Sequence, residues 1–424
     1  MTKGEAYQNS IQFLGLTKKN GVGVGELYAL KPTNNGGNFV WSRALDAYRL
    51  NQEGVMELVA SGTPRVDYTN TCPELIIEKE STNIDKQSQT ITNATWTKTA
   101  VTTSSTEVAP DGTSTAFAMT DNSAVAFLYF AQTITISSAT VYTRSYYIKK
   151  ATSTPTFYSG IDIVSGANYV RAIINNYNGT AVTSTGGTAT LVSCKFESVG
   201  DYYRVKITYS FASGTSSTYY VYPAISSNGT TTSAAAQGTN TFWGFQNELG
   251  YYATSYIPST TSSVTRPQDK VYNTTIAYGL KGTIFIRARI FSSTYTKVDT
   301  LFSLSDSTLD KYITCSTNAS RYIFIETYNN PDSNAYNYSL ASDGIYSVAI
   351  GYDFTGVNNN LNIAINGVLK RANASQSSVA PDALNRLDLG SLYETLPSVD
   401  NRIIGMMYFA DQLSDTDLTA LTVQ

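Results

Sequence analysis

Apolar and polar side chains alternate with a period of two along much of this chain, most cleanly over residues 202–209, YYRVKITY. Tyr203, Val205, Ile207 and Tyr209 fall on one face of an extended segment; Arg204, Lys206 and Thr208 fall on the other. That is the signature of a half-buried antiparallel strand. Similar β-prone runs occupy 139–148, 168–174, 218–222 and 242–246, then 282–290, 300–304, 312–314, 321–327, 344–352, 360–365, 368–371, 387–390 and 405–409. Turn residues separate them. Asn366-Gly367, between LNIAI and VLKR, is the strongest short hairpin signal, because both central positions of the favoured two-residue turn need a positive φ. Pro110-Asp111-Gly112, Asn178-Gly179, Gly186-Gly187 and Asn228-Gly229 mark further turns. Nearer the N-terminus, 47–51, 55–60, 65–68 and 75–78 read as strands punctuated by Gly54, Pro64 and Pro73. A helix over 42–50 competes there, since Leu45 and Tyr48 share its spacing, but the punctuation favours hairpins. The C-terminal LSDTDLTALT reads as a helix, with Ser414 and Asp417 in a capping-box-like start and Leu418 and Leu421 as its apolar stripe.

These elements predict an all-β protein: an N-terminal β-hairpin segment over 1–84, two antiparallel β-sandwiches over 85–265 and 266–424, and one short C-terminal helix. Residues 259–270, STTSSVTRPQDK, are a linker by composition. Trp96 and Trp243 are assigned to the core. Tyr251, Tyr252 and Tyr256 are expected to pack on the first sandwich or on the 41–84 strands.

Composition supports a packed β-protein. Hydrophobic residues make up 42% and charged residues 14% of the 424, too apolar for disorder and too weakly charged for long helices. The net charge of −3 suggests no basic face, which argues against nucleic acid as a partner. No apolar run approaches the length of a membrane span. The start lacks the apolar core of a secretory signal, so the chain reads as assembled in a cytoplasm and released by lysis; a mature chain whose signal had been removed would read the same. Cys72, Cys194 and Cys315 are odd in number and far apart, as expected of buried thiols. The absence of histidine removes Ser-His-Asp and Cys-His sites and every His-ligated metal; a carboxylate pair or a Ser-Lys arrangement survives. GVGVG at 21–25 has no helix after it and no acidic partner, so it reads as an anchor loop and not as a nucleotide loop.

Tyrosine, at 32 residues against 16 Phe, is the one compositional excess with chemical meaning. A ring with an apolar body and a polar tip suits a surface that stacks on sugars, with amides beside it for the hydroxyls. ETYNNPDSNAYNY at 326–338 supplies both in what reads as a loop between strands. Tyr328, Asn329, Asn330, Asn334, Tyr336 and Tyr338 are therefore the candidate glycan-binding residues; loop packing or a subunit contact is the competing reading.

Three stretches carry a resemblance. Residues 242–267, FWGFQNELGYYATSYIPSTTSSVTRP, resemble the closing strand of a jelly roll found in bacteriophage fibre proteins; with Trp96 and PDGTSTA they look like a carbohydrate-binding module. Residues 41–84 also resemble phage fibre sequences, through Arg43, Gly54, Glu57, 64–68, Cys72-Pro73, 75–78 and Thr82-Asn83. The long first strand, the Asn-Gly hairpin, LDLG and the terminal helix make 275–422 similar to the concanavalin A-like lectin fold in its laminin-G or pentraxin style. The resemblance implies a virion surface protein of head or tail. It would dock to other virion proteins through 1–84, commonly as a homotrimer, and present both sandwiches to host-surface glycans without catalysis. A polysaccharide depolymerase, a structural virion component without a ligand and a secreted adhesin are the alternatives. The E-x-D-x-x-E string of concanavalin-like glucanases is absent; Glu74, Glu78 and Glu80 come nearest, while Asp162, Glu248, Asp353 and Asp388 would have to converge in space. No cofactor is required. The same resemblance allows calcium, with Asp306, Asp310, Asp388 and Asp400 as ligands by analogy only, and Asp415 and Asp417 serving the helix start.

Overall fold

The computed structural model describes residues 12–15, 29–31, 38–69, 73–99, 102–290, 299–317, 322–356, 359–375, 381, 384–393 and 401–423. The readings placed on 21–25, Cys72, Arg321 and Asp400 lie outside them. Among the described residues the fold is all-β with one short helix, Asp415–Thr422, and the chain divides into two compact units. One comprises 1–46, 59–80 and 267–424, and the other 47–58 and 81–266. The N-terminal 84 residues thus contribute to both.

The unit containing 81–266 is a sandwich of two six-stranded antiparallel sheets. Sheet I runs, in spatial order, Thr102–Glu107, Ala116–Asp121, Gly238–Leu249, Val141–Lys149, Tyr202–Phe211 and Ala189–Val199. Sheet II runs Thr180–Gly186, Asn168–Asn175, Tyr158–Ser165, Ser216–Ser226, Phe130–Thr135 and Thr97–Lys98. Between them lie Trp96, Phe130, Tyr146, Ile161, Val205, Ile207, Phe242 and Phe245, all fully or nearly fully buried. Trp96 packs edge-on against Phe245 with ring centroids 4.9 Å apart. Arg144 is buried here too: its guanidinium meets Asp85 through two bonds of 2.9 and 2.7 Å and lies 3.2 Å over the Tyr219 ring.

The outer face of sheet I departs from the half-buried expectation. Arg204 and Thr208, read as solvent-facing, are buried. Arg204 donates to the Thr254 carbonyl at 2.6 Å and Thr208 to that of Tyr251 at 3.3 Å, because the segment after the closing strand folds back over the sheet. Tyr48, Leu50 and Met56 join Tyr147, Tyr202, Trp243 and Tyr256 in a second apolar layer, where the Trp243 and Tyr256 rings stand 4.6 Å apart. The competing helix over 42–50 does not form; Ala47–Leu50 is a strand paired with Met56–Val59. In FWGF, strict alternation would put Trp243 and Phe245 on one face. Gly244, at φ +63, sits in a register shift against Val141–Lys149, so Trp243 points out of the sandwich and Phe245 into it.

Residues 259–270, read as a linker, do contain the 266/267 boundary between the two units, but the segment is paired and partly buried and not a free tether. Val264–Arg266 pairs with Ser81–Asn83, Ser259 donates to the Asp85 carbonyl at 2.6 Å, and Arg266 and Asp269 are buried. The Ser259 amide also donates to Ser88 Oγ at 2.8 Å, and the Thr265 and Thr82 hydroxyls meet at 2.8 Å.

The other unit stacks a nine-stranded sheet on a seven-stranded one around Ile284, Ile286, Phe302, Leu304, Ile313, Ile325, Val348, Ile363, Leu387 and Leu389. The nine-stranded sheet has Lys281–Ile290 between Gly344–Asp353 and Asn401–Phe409. The seven-stranded sheet runs Asp332–Ser339, Tyr322–Asn329, Lys311–Thr317, Asp299–Ser305, Arg386–Leu389, Lys270–Asn273 and Val40–Ser42. Asn366 and Gly367, at φ +47 and +75, form the expected tight hairpin between Asn360–Ile365 and Val368–Ser375. The helix Asp415–Thr422 starts at Ser414, whose Oγ accepts from the Asp417 amide at 3.2 Å. Its Leu418 and Leu421 pack on Phe285, Ala349, Ala364 and Phe409 on the far side of the nine-stranded sheet. A buried ionic cluster ties the N-terminal strands in: Arg65 meets Asp269 and Glu78 at 2.5 and 2.8 Å, and Arg43 meets Asp269 at 3.3 Å. Burial pushes the Cys194 thiol up to about 11 and raises that of Cys315 as well, which keeps both protonated.

Candidate functional site

Five of the six tyrosine and asparagine candidates lie on strands, and only Asn330 falls in a turn. Tyr322–Asn329 and Asp332–Ser339 pair along their whole length, leaving only Asn330-Pro331 in the turn. The alternation of YIFIET continues through ETYN, and NAYNY answers it on the partner strand. The side chains are accordingly dealt to two faces. Tyr336 and Tyr338 lie opposite Ile325 and Ile323 and pack against the core, and Asn334 lies opposite buried Thr327. The Arg371 guanidinium sits 4.3 Å over the Tyr336 ring. Asn329 and Asn330 close the hairpin end, where the Asn330 amide nitrogens donate to Asp310 at 2.9 Å (backbone) and 2.8 Å (side chain).

Tyr328 alone of the six joins the outer face, and the register brings it partners that the sequence reading missed. Tyr312, directly opposite on Lys311–Thr317, stacks on it with centroids 5.0 Å apart and an interplanar angle of 22°. Glu326, two residues back on the same face, accepts from the Tyr312 hydroxyl at 3.2 Å. Burial raises the Glu326 carboxyl from its ordinary value, partly offset by that hydrogen bond. Phe324 and Ser333 continue this face in register, all of these side chains at least partly exposed. Further across the sheet, Arg386 pairs with Asp388 through two 2.8 Å bonds and lies 4.0 Å over Tyr272. The signal for Tyr312 was present in KYITC, where Tyr alternates with buried Ile313 and Cys315, but only the strand pairing shows which residue it faces. The chemistry on offer is a partly exposed, stacked tyrosine pair beside the Glu326 carboxyl and the hydroxyls of Tyr312, Tyr328 and Ser333.

The carboxylates that hydrolysis would need are engaged elsewhere. Asp162 holds Arg171, Glu248 accepts from Ser81, Gln246 and Thr254, Asp353 accepts from Thr355, and Asp388 holds Arg386. Glu74 and Glu78 pair with Arg289 and Arg65. Of the calcium candidates, Asp306 accepts from Thr308 and Asp310 from Asn330. Among the described residues no group of three or more acidic or thiol side chains is placed to hold a metal ion.

No family model matches the sequence, and no curated protein matches it. Parts of the fold are similar to solved structures. The CBM40 of Ruminococcus gnavus IT-sialidase is 21% identical over 34% of this chain and 84% of that one, with a TM-score of 0.27. The binding domain of botulinum neurotoxin serotype G is 18% identical over 36% and 39%, with a TM-score of 0.30. A heptameric SAP-like pentraxin from Limulus polyphemus is 11% identical over 33% and 69%, with a TM-score of 0.27.

Proposed function

We propose that this chain is a glycan-binding attachment protein displayed on a phage particle, as a fibre or decoration of head or tail. The observation that carries the glycan reading is the stacked Tyr312–Tyr328 pair with Glu326 on an accessible sheet face. Such a platform takes the apolar face of a pyranose, while the carboxyl and neighbouring hydroxyls take its OH groups. The virion reading rests on the resemblance of 41–84 and 242–267 to fibre sequences. It brings with it docking through the N-terminal segment, a homotrimeric state and assembly in the host cytoplasm. A single shallow platform binds weakly, but many copies on one particle raise avidity by about 10²- to 10⁴-fold where geometry allows.

Affinity electrophoresis of the full chain through gels containing host-surface polysaccharide tests the glycan reading. Retardation that Tyr328→Ala reduces about tenfold supports it; wild-type migration unaffected by every polysaccharide rejects it. Release of new reducing ends during incubation would replace it with the depolymerase reading. Immunogold labelling of particles tests the virion role, and label absent from purified particles rejects that part.

A further inference from the structure

The outer face of sheet II carries a second, differently built aromatic cluster. Its strands place side chains in rows. One row reads Ala131, Tyr220, Asp162, Arg171 and Ser184; the next reads Thr133, Thr218, Val164, Tyr169 and Gly186. Tyr129, just before Phe130–Thr135, stands edge-on to Tyr220 with centroids 4.9 Å apart and 6.0 Å from Tyr222. Phe127 stands 6.1 Å from Tyr222. None of these rings belongs to the buried core, and all keep part of their surface exposed.

Beside the rings, Asp162 and Arg171 form a two-bond pair, Nε to Oδ1 and Nη2 to Oδ2, both 2.6 Å, and the Tyr222 hydroxyl donates to Asp162 Oδ2 at 3.3 Å. The Asp162 carboxylate is 8% exposed and the Arg171 side chain 32%, so solvent reaches the pair from the arginine side. The rim on the Tyr222 side is a built loop. Asp121 accepts from the amides of Ser123 at 2.9 Å and Leu128 at 3.0 Å, and Ser123 Oγ from that of Ala126 at 3.0 Å. This holds Val125 outward at 87% exposure and Phe127 at 38% beside the rings.

We propose that this face is a second glycan site, selective for uncharged sugars, with Tyr129, Tyr220 and Tyr222 as stacking surfaces, Asp162 and Arg171 as the hydroxyl-ordering pair, and Val125 and Phe127 as a hydrophobic rim. It rests on the glycan-binding reading given above. The charge argument sets the ligand class. Carboxylate and guanidinium neutralise each other, so no net charge is offered to an anionic sugar, and a sugar carboxylate would have to compete with Asp162 for Arg171. A hydroxyl both donates and accepts, and adjacent hydroxyls match a fixed donor–acceptor pair without breaking it. A protein partner fits less well: a stable interface needs about 800 Å² per partner, and this aromatic patch is bounded by Thr133 and Thr218 on the next row and by Ser184 at the end of its own.

The test is affinity electrophoresis of the full chain in mannan, galactan, dextran and polygalacturonate. The wild type is expected to be retarded by at least one neutral polymer and less by polygalacturonate. Tyr220→Ala and Tyr222→Ala weaken that retardation about tenfold with circular dichroism unchanged. Asp162→Asn uncovers the Arg171 charge and shifts preference toward polygalacturonate. Retardation by polygalacturonate alone, unchanged migration of both tyrosine variants, or an unshifted preference in Asp162→Asn overturns the proposal. If Tyr328→Ala alone abolishes all retardation, this second face fails while the first stands; if no polymer retards the wild type, both readings fail.

Discussion

The two sheets of the 81–266 sandwich put aromatic residues on their outer faces and use them in opposite ways. On sheet I, Tyr147 and Trp243 are sealed under Tyr48, Leu50, Met56 and Tyr256, and even Arg204 and Glu248 are buried. On sheet II, Tyr129, Tyr220 and Tyr222 have one another, Asp162 and the Phe127 loop for company and keep part of their area in water. The same residue type thus builds a covered layer on one side and an open aromatic surface on the other. What separates them is whether a returning segment of chain covers the ring.

Substitutions sharpen that contrast most at its covered end. Trp243→Ala is expected to destabilise the protein by about 3–5 kcal/mol in chemical denaturation, the usual cost of deleting a buried large aromatic side chain. An exposed-surface value would dissolve the distinction. Gly244→Ala comes next, at about 1–3 kcal/mol: it forces a side chain into positive φ, and the new Cβ would meet the Tyr147 ring at 3.0 Å. On the open side, Tyr220→Ala is expected to cost about 1 kcal/mol or less, the scale of a cross-strand pair, while removing most polysaccharide retardation. The smallest effect is a pH dependence on the other open platform. The Glu326 carboxyl titrates higher in the folded chain than in the unfolded one. The native state therefore holds more protons between those two values, and its penalty is full above that window and absent below it. Glu326→Gln should raise the midpoint of thermal unfolding slightly at neutral pH, with the gain vanishing as pH falls through the carboxylate range. A gain that grows on acidification would reverse the assignment.

Much of the architecture was legible because burial on one face writes a period of two into the sequence. Residues 202–209, 282–290 and the Asn366-Gly367 hairpin appear where the alternation and the turn chemistry put them. Thr180–Gly186 and Asp332–Ser339 went unread as strands because they lie at sheet edges, where few side chains need to be apolar. The covering of sheet I was half legible: Tyr256 was expected to pack, but nothing local in YYRVKITY announces that Arg204 is buried. The candidate site was legible as composition and not as geometry. Tyr328 was named, whereas Tyr312 and Glu326, and the whole Tyr129–Tyr220–Tyr222 cluster, depend on pairings between segments distant in sequence. The Gly244 bulge was hidden for a related reason: one added residue exchanges the faces of its neighbours without altering the composition.

The interleaving of the two units along the chain has a consequence for biosynthesis. Gln12–Gly15 and Glu74–Ile77 both pair with Asn401–Phe409, a strand synthesised long after either of them. The 81–266 sandwich has every one of its strands in hand much earlier and can close while translation continues. Gln12–Gly15 and Glu74–Ile77 must therefore wait, unpaired with that partner, until the intervening sandwich has been made. A premature stop shortly before Asn401 would leave them without that partner even though the 81–266 sandwich is already complete.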